Sequence, residues 1–487
     1  MAGISTSSSN TRTGTFDPNQ NFTAPLIIVT LLFFMWGFIT CMNDILIPKL
    51  QNVFDLKNWQ AMLIQSAFFG AYFFISLSYF LVSITSGDPI NKIGYKNGII
   101  VGLVVAAIGC TLFFPAAEYN SYLFFLGALF ILASGITILQ IAANPYVAIL
   151  GKPETSSSRL NLTQAFNSLG TTVAPIIGGA LIFAAAAESA VSSSDTVKVP
   201  YLGLAGALIL IAVMIKVAKL PKVVNEDKIE KSAGALKYPH LVLGVICIFM
   251  YVGGEVAIGS TLVKFFGLPN IAGLEEKEAS IYLSFFWGGA MIGRFFGAVA
   301  LAKFENNLHR LLIMAAIAAA TFLVVFSVTN LELATISFGM VLLNVAMFFM
   351  GRFIPGRTLG LFAVAVMVLL LMTIYLEGQV AMWSAIGIGL FNSIMFPTIF
   401  TLAIAGLGSH TSQGSSLLVM AIVGGAIIPP LQGYVADITS IQFSFVVPLA
   451  CYAYIVYYGF IGSKMKLPKE ELINDSKPVL EPEGTLV

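Results

Sequence analysis

The chain has 487 residues, of which 57% are hydrophobic and only 10% charged, with a formal net charge of +1. Its mean hydropathy is +0.89. A soluble domain would carry roughly 25% charged residues, so the composition excludes a soluble enzyme or binding module. It points instead to an all-α polytopic membrane protein, with the lipid bilayer as its surroundings and no nucleic-acid partner. Four cysteines (Cys41, Cys110, Cys247, Cys451) lie in apolar runs without CxxC spacing, which implies neither a disulfide framework nor a zinc site.

Residues 1–22 are polar and rich in Ser and Thr, and read as a short tail with no charged-then-apolar leader. A spanning helix needs about 20 apolar residues. The first such run, 24–48, carries Asn43 and Asp44 near its end. A carboxylate at the bilayer centre costs roughly 2.5–3.5 kcal/mol, and one kept there marks an ion or substrate path by default. Capping or orienting a neighbouring helix is the plainer use for it. Further runs follow at 60–84, 96–116, 121–147, 161–187 and 199–219. They bring amides to membrane depth: Gln65, then Gln140 and Asn144, then Asn161, Gln164 and Asn167.

A charged stretch at 220–238, LPKVVNEDKIEKSAGALKY, closes the first bundle of six helices, 23–219. Beyond it, 239–463 holds runs at 239–265, 278–302, 309–329, 333–351, 357–376, 380–407, 412–435 and 441–463, before a tail at 464–487. The total is about fourteen crossings. Glu255 lies in the seventh run, Trp287 and Arg294 in the eighth, and Asn392 and Phe396 in the run 380–407. Arg294, near the end of its helix, reads as part of a gate or loop clamp outside the substrate site. Asn144–Pro145, Gly253–Gly254, Pro397 and Pro429–Pro430 are candidate helix breaks. Interrupted helices free backbone groups for a substrate or ion, although neighbouring helices can also repair such kinks.

With both ends placed in the cytoplasm, twenty of the 25 basic residues fall on one face, the positive-inside pattern. The expected location is therefore a bacterial inner membrane, multi-pass, with both termini cytoplasmic. Two six-helix halves joined by a linker are the layout of the major facilitator superfamily. The loop 87–98 and the segment 293–310 occupy corresponding positions in the two halves. The second half then has two helices to spare. The pair at about 333–376 carries no charge over 333–351 or 358–375 and reads as an inserted, lipid-facing hairpin. A monomer is expected, with that hairpin available for an oligomer contact.

The motifs FFMWGFITCMNDILIP, LIQSAFFGAYF, LQIAANPYV, RLNLTQAFNSLGT, YVGGEVAIGS, WGGAMIGRF, FNSIMFPTIF and MAIVGGAIIPPLQG run collinearly along the chain. Together they resemble the fucose–galactose–glucose:cation symporter family, most closely its glucose/galactose branch. The resemblance covers nearly the whole chain except the tails and the inserted pair. It implies a secondary transporter and not an enzyme, with a monosaccharide and a coupling cation as partners and no other cofactor. The fucose-transporting members carry a glutamate where this chain has Gln140, and that carboxylate is assigned a proton-coupling role there. Gln140 cannot titrate.

The residue chemistry suits a sugar. Hydroxyls need groups that both donate and accept, as amides do, and the C–H face of a sugar ring stacks on aromatics. The candidate substrate site is Asn43, Gln65, Gln140, Asn144, Asn161, Gln164, Asn167, Glu255, Trp287, Asn392 and Phe396, with Trp36 and Phe69 as further apolar faces. Each amide alone would equally suit a helix–helix hydrogen bond, worth about 0.6–2 kcal/mol. Their clustering on the first, second, fourth and fifth helices favours a cavity. Few buried cations argue against acidic or phosphorylated sugars, so a neutral hexose is expected, glucose or galactose ahead of fucose or mannose. Asp44, Asn43 and Glu255 are the coupling candidates. Sodium, held by Asp44 with Asn43, is favoured over a proton because Gln140 removes one titrating group. The alternatives are a fucose or mannose:proton symporter and, from other classes, an intramembrane enzyme or a channel.

Overall fold

The computed structural model describes residues 23–56, 63–188, 194–218, 220, 233–304, 306–328 and 330–465. Both expected tails, most of the linker 220–238 and the side chains of Asn43, Asp44 and Gln65 lie outside that description. In chain order the helices are α1 (Thr23–Phe54), α2 (Leu63–Ser86), α3 (Pro89–Ile93), α4 (Tyr95–Glu118), α5 (Tyr122–Ile149), α6 (Ser156–Glu188), α7 (Lys198–Val217) and α8 (Pro239–Phe266). Then come α9 (Glu276–Ala300), α10 (Asn307–Val328), α11 (Leu331–Met350), α12 (Pro355–Tyr375), α13 (Gly378–Asn392), α14 (Met395–Ala403), α15 (Thr411–Met420), α16 (Gly424–Ile438) and α17 (Val446–Tyr457).

Among the described residues, thirteen segments are long and apolar enough to cross a membrane. The fourteenth expected crossing, α6, is 33 residues long, and most side chains of its apolar second half lie outside the described residues. Its length and its packing along α1 still give it the reach of a spanning helix.

The two halves repeat one packing plan. In the first, α1 lies along α6, α2 against α5, and α4 against both α5 and α7. In the second, α8 lies along α16, α9 against α13, and α12 against both α13 and α17. Helix α12 therefore takes the place of α4. It buries Leu359, Phe362, Ala363, Val366 and Leu370 completely, which is at odds with a lipid-facing role for residues 333–376. The peripheral pair is instead α10 with α11. These pack mainly on each other, α10 also reaching α9 and α11 touching α12 and α13. Leu312, Leu323, Val324, Leu342 and Leu343 on them are exposed, as helices bordering lipid should be.

Small residues set a tight crossing between α9 and α13. A side chain on Gly389 would collide with the Phe286 carbonyl, and one on Gly293 with the Ser393 hydroxyl. The backbones of α9 and α13 therefore meet without intervening side chains, and that contact fixes the region where α13 ends.

Candidate functional site

Three of the four expected breaks are absorbed. Helix α5 runs through Pro145, α8 through Gly253 and Gly254, and α16 contains both Pro429 and Pro430. The chain does break at Ser393–Ile394, between α13 and α14, and tightens again at Ala421–Val423, between α15 and α16. Pro397 accounts for the first break. It has no N–H for the Ser393 carbonyl four residues back, and its ring crowds that oxygen.

The carbonyls freed there are taken up by side chains. Arg294 Nε of α9 donates to Ser393 O at 3.1 Å. The Tyr251 hydroxyl of α8 donates to Glu255 Oε1 at 2.6 Å and also lies 3.1 Å from Asn392 O. Tyr251 and Glu255 are four residues apart and so share one helix face. The Tyr452 hydroxyl of α17 donates to Asn392 Oδ1 at 2.6 Å, leaving Asn392 Nδ2 buried without a partner. Arg294 is within electrostatic reach of Glu255, and its Nη1 donates to Ser168 Oγ of α6. It therefore bridges the two halves while standing at the edge of this cluster. The bridge to Ser168 is the kind of contact a clamp would make, and Arg294 also stands beside the Ser393 break.

Among the described residues, the first half contributes a cluster without charge. Gln140 Nε2 of α5 donates to the Tyr72 hydroxyl of α2 at 2.7 Å, and Trp36 of α1 bonds the same hydroxyl. Phe68 and Phe69 flank Tyr72, with ring centroids 5.2 and 6.4 Å away. Phe69 also lies against Gly425 of α16, in the other half. Gln140 Oε1 has no partner, and neither does either amide atom of Asn144 one turn further on. On α6, Asn161 donates to Ser157 O at 2.8 Å. Its Oδ1, unpartnered, faces Gly297 of α9. Gln164 Nε2 is likewise buried and unpartnered.

Other candidates sit differently. Asn167 donates to Phe33 O of α1 at 2.9 Å, so its amide serves the α1–α6 packing. Trp287 rests on Gly259, one turn beyond Glu255, and is 43% exposed. One turn along the same face, Met291 meets Thr172 of α6, so that exposure is towards the gap between the halves. Phe396 is half-buried, its ring 6.0 Å from that of Phe400.

Among the described residues, the hydrogen bonds joining the halves lie between mid-depth and the side bearing the basic loops. Asn91 Nδ2 donates to Ser409 O at 2.5 Å, Ser158 Oγ to Ala298 O at 2.5 Å, and Gln413 Nε2 to Ser83 Oγ at 3.0 Å. Ser157 and Thr401 pair their hydroxyls at 2.6 Å. The halves are thus clasped on that side, beneath the polar clusters.

Residues 26–359 match the family model described as Major Facilitator Superfamily. The chain belongs to the major facilitator superfamily. Within the superfamily it is similar to a glucose/galactose transporter of Brucella abortus (biovar 1, strain 9-941), with 50% identity over 449 residues, 91% of this chain and 95% of the relative. It is also similar to an L-fucose-proton symporter of Escherichia coli (strain K12), with 30% identity over 471 residues, 92% of this chain and 94% of the relative. The crystal structure of the major facilitator superfamily transporter FucP in the outward conformation matches with a TM-score of 0.72 at 30% identity, covering 91% of this chain and 100% of that one. This superfamily member therefore stands in the fucose–galactose–glucose symporter branch that its motifs resemble.

Tyr72, Tyr251, Tyr452 and Ser168 are absent from the sequence-based site. Tyrosines in apolar runs look like packing residues. The four-residue spacing of Tyr251 and Glu255 is the one signal that points to a pair.

Proposed function

We propose that the chain is a secondary active transporter that imports a neutral hexose, glucose or galactose, together with a cation. The site alternates in exposure between the two halves, and both termini lie in the cytoplasm. One observation carries the reading. Gln140 Oε1, Asn161 Oδ1, Gln164 Nε2 and Asn392 Nδ2 are buried acceptors and donors without partners, on helices that border the gap between the halves. Buried polar groups are normally paired, and leaving several unpaired is costly unless a polar, uncharged ligand meets them. Arg294 is already engaged by Ser393 and Ser168, so no free guanidinium offers itself to an acidic or phosphorylated sugar. The names carried by the relatives support the same substrate class.

Sodium is the proposed coupling ion. Gln140 supplies a neutral oxygen without a partner, which suits a hard cation and cannot carry a proton. A second reading, proton symport, is favoured by a specific cluster: Glu255 with Tyr251 at 2.6 Å and Arg294 nearby. The name of the E. coli relative supports it too. Uptake of labelled hexoses into proteoliposomes, under a sodium gradient alone and a proton gradient alone, separates the two. Accumulation of glucose or galactose with sodium alone is expected. Accumulation with protons alone would end the sodium reading, and absence of uptake of any hexose under either gradient would end the sugar reading.

A further inference from the structure

Three carbonyls at the Ser393 break are held by side chains, and the third donor comes from an unexpected quarter. Tyr251 and Arg294 belong to α8 and α9. The Leu390 carbonyl is instead approached by Asn344 Nδ2 of α11, at 3.3 Å, and also accepts from Ser393 Oγ at 2.7 Å. Helix α11 is one of the two helices that have no counterpart in the first half. Its buried face is otherwise apolar: Ala334, Val341, Met347 and Phe348. Asn344 on that face is completely buried. Burying an amide costs free energy unless it is bonded, so an aliphatic residue would serve mere packing better.

The same peptide is gripped from the opposite side. Side chains on Gly289 and Gly293 of α9 would sit 3.1 Å from Leu390 N and 2.7 Å from Leu390 O. Leu390 is therefore wedged between α9 and α11. Two residues further on, Asn392 presents its amide to Tyr452, with Nδ2 unpartnered. A shift of the Leu390 peptide must carry Asn392 with it.

We propose that Asn344 is a positioning residue: through the Leu390 carbonyl, the peripheral helix α11 sets the Asn392 amide in the hexose site. The inference rests on the sugar reading above, and it adds a role for a helix pair that otherwise borders lipid.

The test uses the full chain in proteoliposomes and compares Asn344→Leu, which keeps the bulk and removes the donor, with Asn344→Gln, which keeps a donor on a longer stem. In Asn344→Leu the KM for hexose should rise roughly three- to tenfold, the range of one intramembrane hydrogen bond. Its maximal rate and thermal midpoint in detergent should be little changed, and Asn344→Gln should recover part of the KM. Backbone hydrogen exchange should quicken in residues 388–396 of Asn344→Leu and not across the protein. An unchanged KM with unchanged exchange in 388–396 overturns the proposal. So does a loss of thermal midpoint shared by both variants, with exchange rising everywhere, because that marks a packing residue. If wild type takes up no hexose, the sugar reading fails by itself, while the exchange comparison still decides whether Asn344 holds the break.

Discussion

The two halves share a packing plan and distribute polarity in opposite ways. The first half places neutral amides on α5 and α6 and leaves several of their atoms unpartnered: Gln140 Oε1, both atoms of Asn144, Asn161 Oδ1 and Gln164 Nε2. The second half gathers charge, Glu255 and Arg294, and engages it with Tyr251 and the carbonyls of a broken helix. Unpaired amides await a ligand that brings its own donors and acceptors. Charged groups bonded around freed carbonyls hold a shape and respond when one of them changes. The contrast assigns recognition chiefly to the first half and mechanical response chiefly to the second.

The most severe way to break that contrast is to remove Arg294. Arg294→Leu strips the donor from Ser393 O, cuts the bond to Ser168 and leaves Glu255 without its cation. A hydrogen bond to a charged group is worth about 1.5–3 kcal/mol. Concentrative uptake should therefore fall by about one to two orders of magnitude. Hexose binding to the detergent-solubilised protein, measured by calorimetry, should weaken far less. If binding is lost as completely as uptake, recognition is not concentrated in the first half.

A smaller effect is expected from the amides. Gln164→Ala or Asn161→Ala removes one neutral hydrogen-bonding group, worth about 1 kcal/mol, and more when a partner is stranded. Hexose affinity should drop by about tenfold in each. Wild-type affinity in both variants would return them to helix packing and dissolve the contrast from the other side.

The legible part of this architecture is what hydropathy and residue type encode. Spanning helices appear as apolar runs, and the amides stand out because they are rare at that depth. The packing partner of each helix is not legible. α10, α11 and α12 are all predominantly apolar, so nothing in their composition says that α12 is wrapped by α13 and α17 while α10 and α11 lie outside. Pro397 is recognisable as a breaker, but its effect lands one turn earlier, on the carbonyl it cannot serve. Arg294 escapes a sequence reading because distance along its own helix hides its nearness to Ser393 and Glu255, which come from other helices.

The smallest and most selective effect concerns the clasp on the basic side. Asp88 caps α3, its Oδ1 accepting from Ile90 N at 2.9 Å, Asn91 N at 3.2 Å and the Tyr79 hydroxyl at 2.6 Å. Its Oδ2 is buried without a hydrogen-bond partner, near Ser412 of the other half. Burial pushes the Asp88 carboxyl above its ordinary range, against the lowering by Tyr79, the backbone amides and the Ser412 hydroxyl. A raised value in the closed state means that closure favours the protonated form. The contribution of Asp88 to closure is thus complete below the ordinary carboxylate range and is lost as pH rises through the raised value. Burying the ionised carboxylate costs more solvation than Ser412 returns, so the clasp should loosen a few-fold as pH rises. Asp88→Asn keeps an N-cap and carries a permanent donor in place of the protonated oxygen, so its clasp should not respond to pH in that window. The measurement is the labelling rate of a cysteine placed at Ser409, in a background without the four native cysteines, followed from acid to neutral pH. Equal pH dependence with and without the Asp88→Asn substitution would sink the idea. A flat profile in the variant alone would tie the clasp between the halves to one buried carboxyl of the first half.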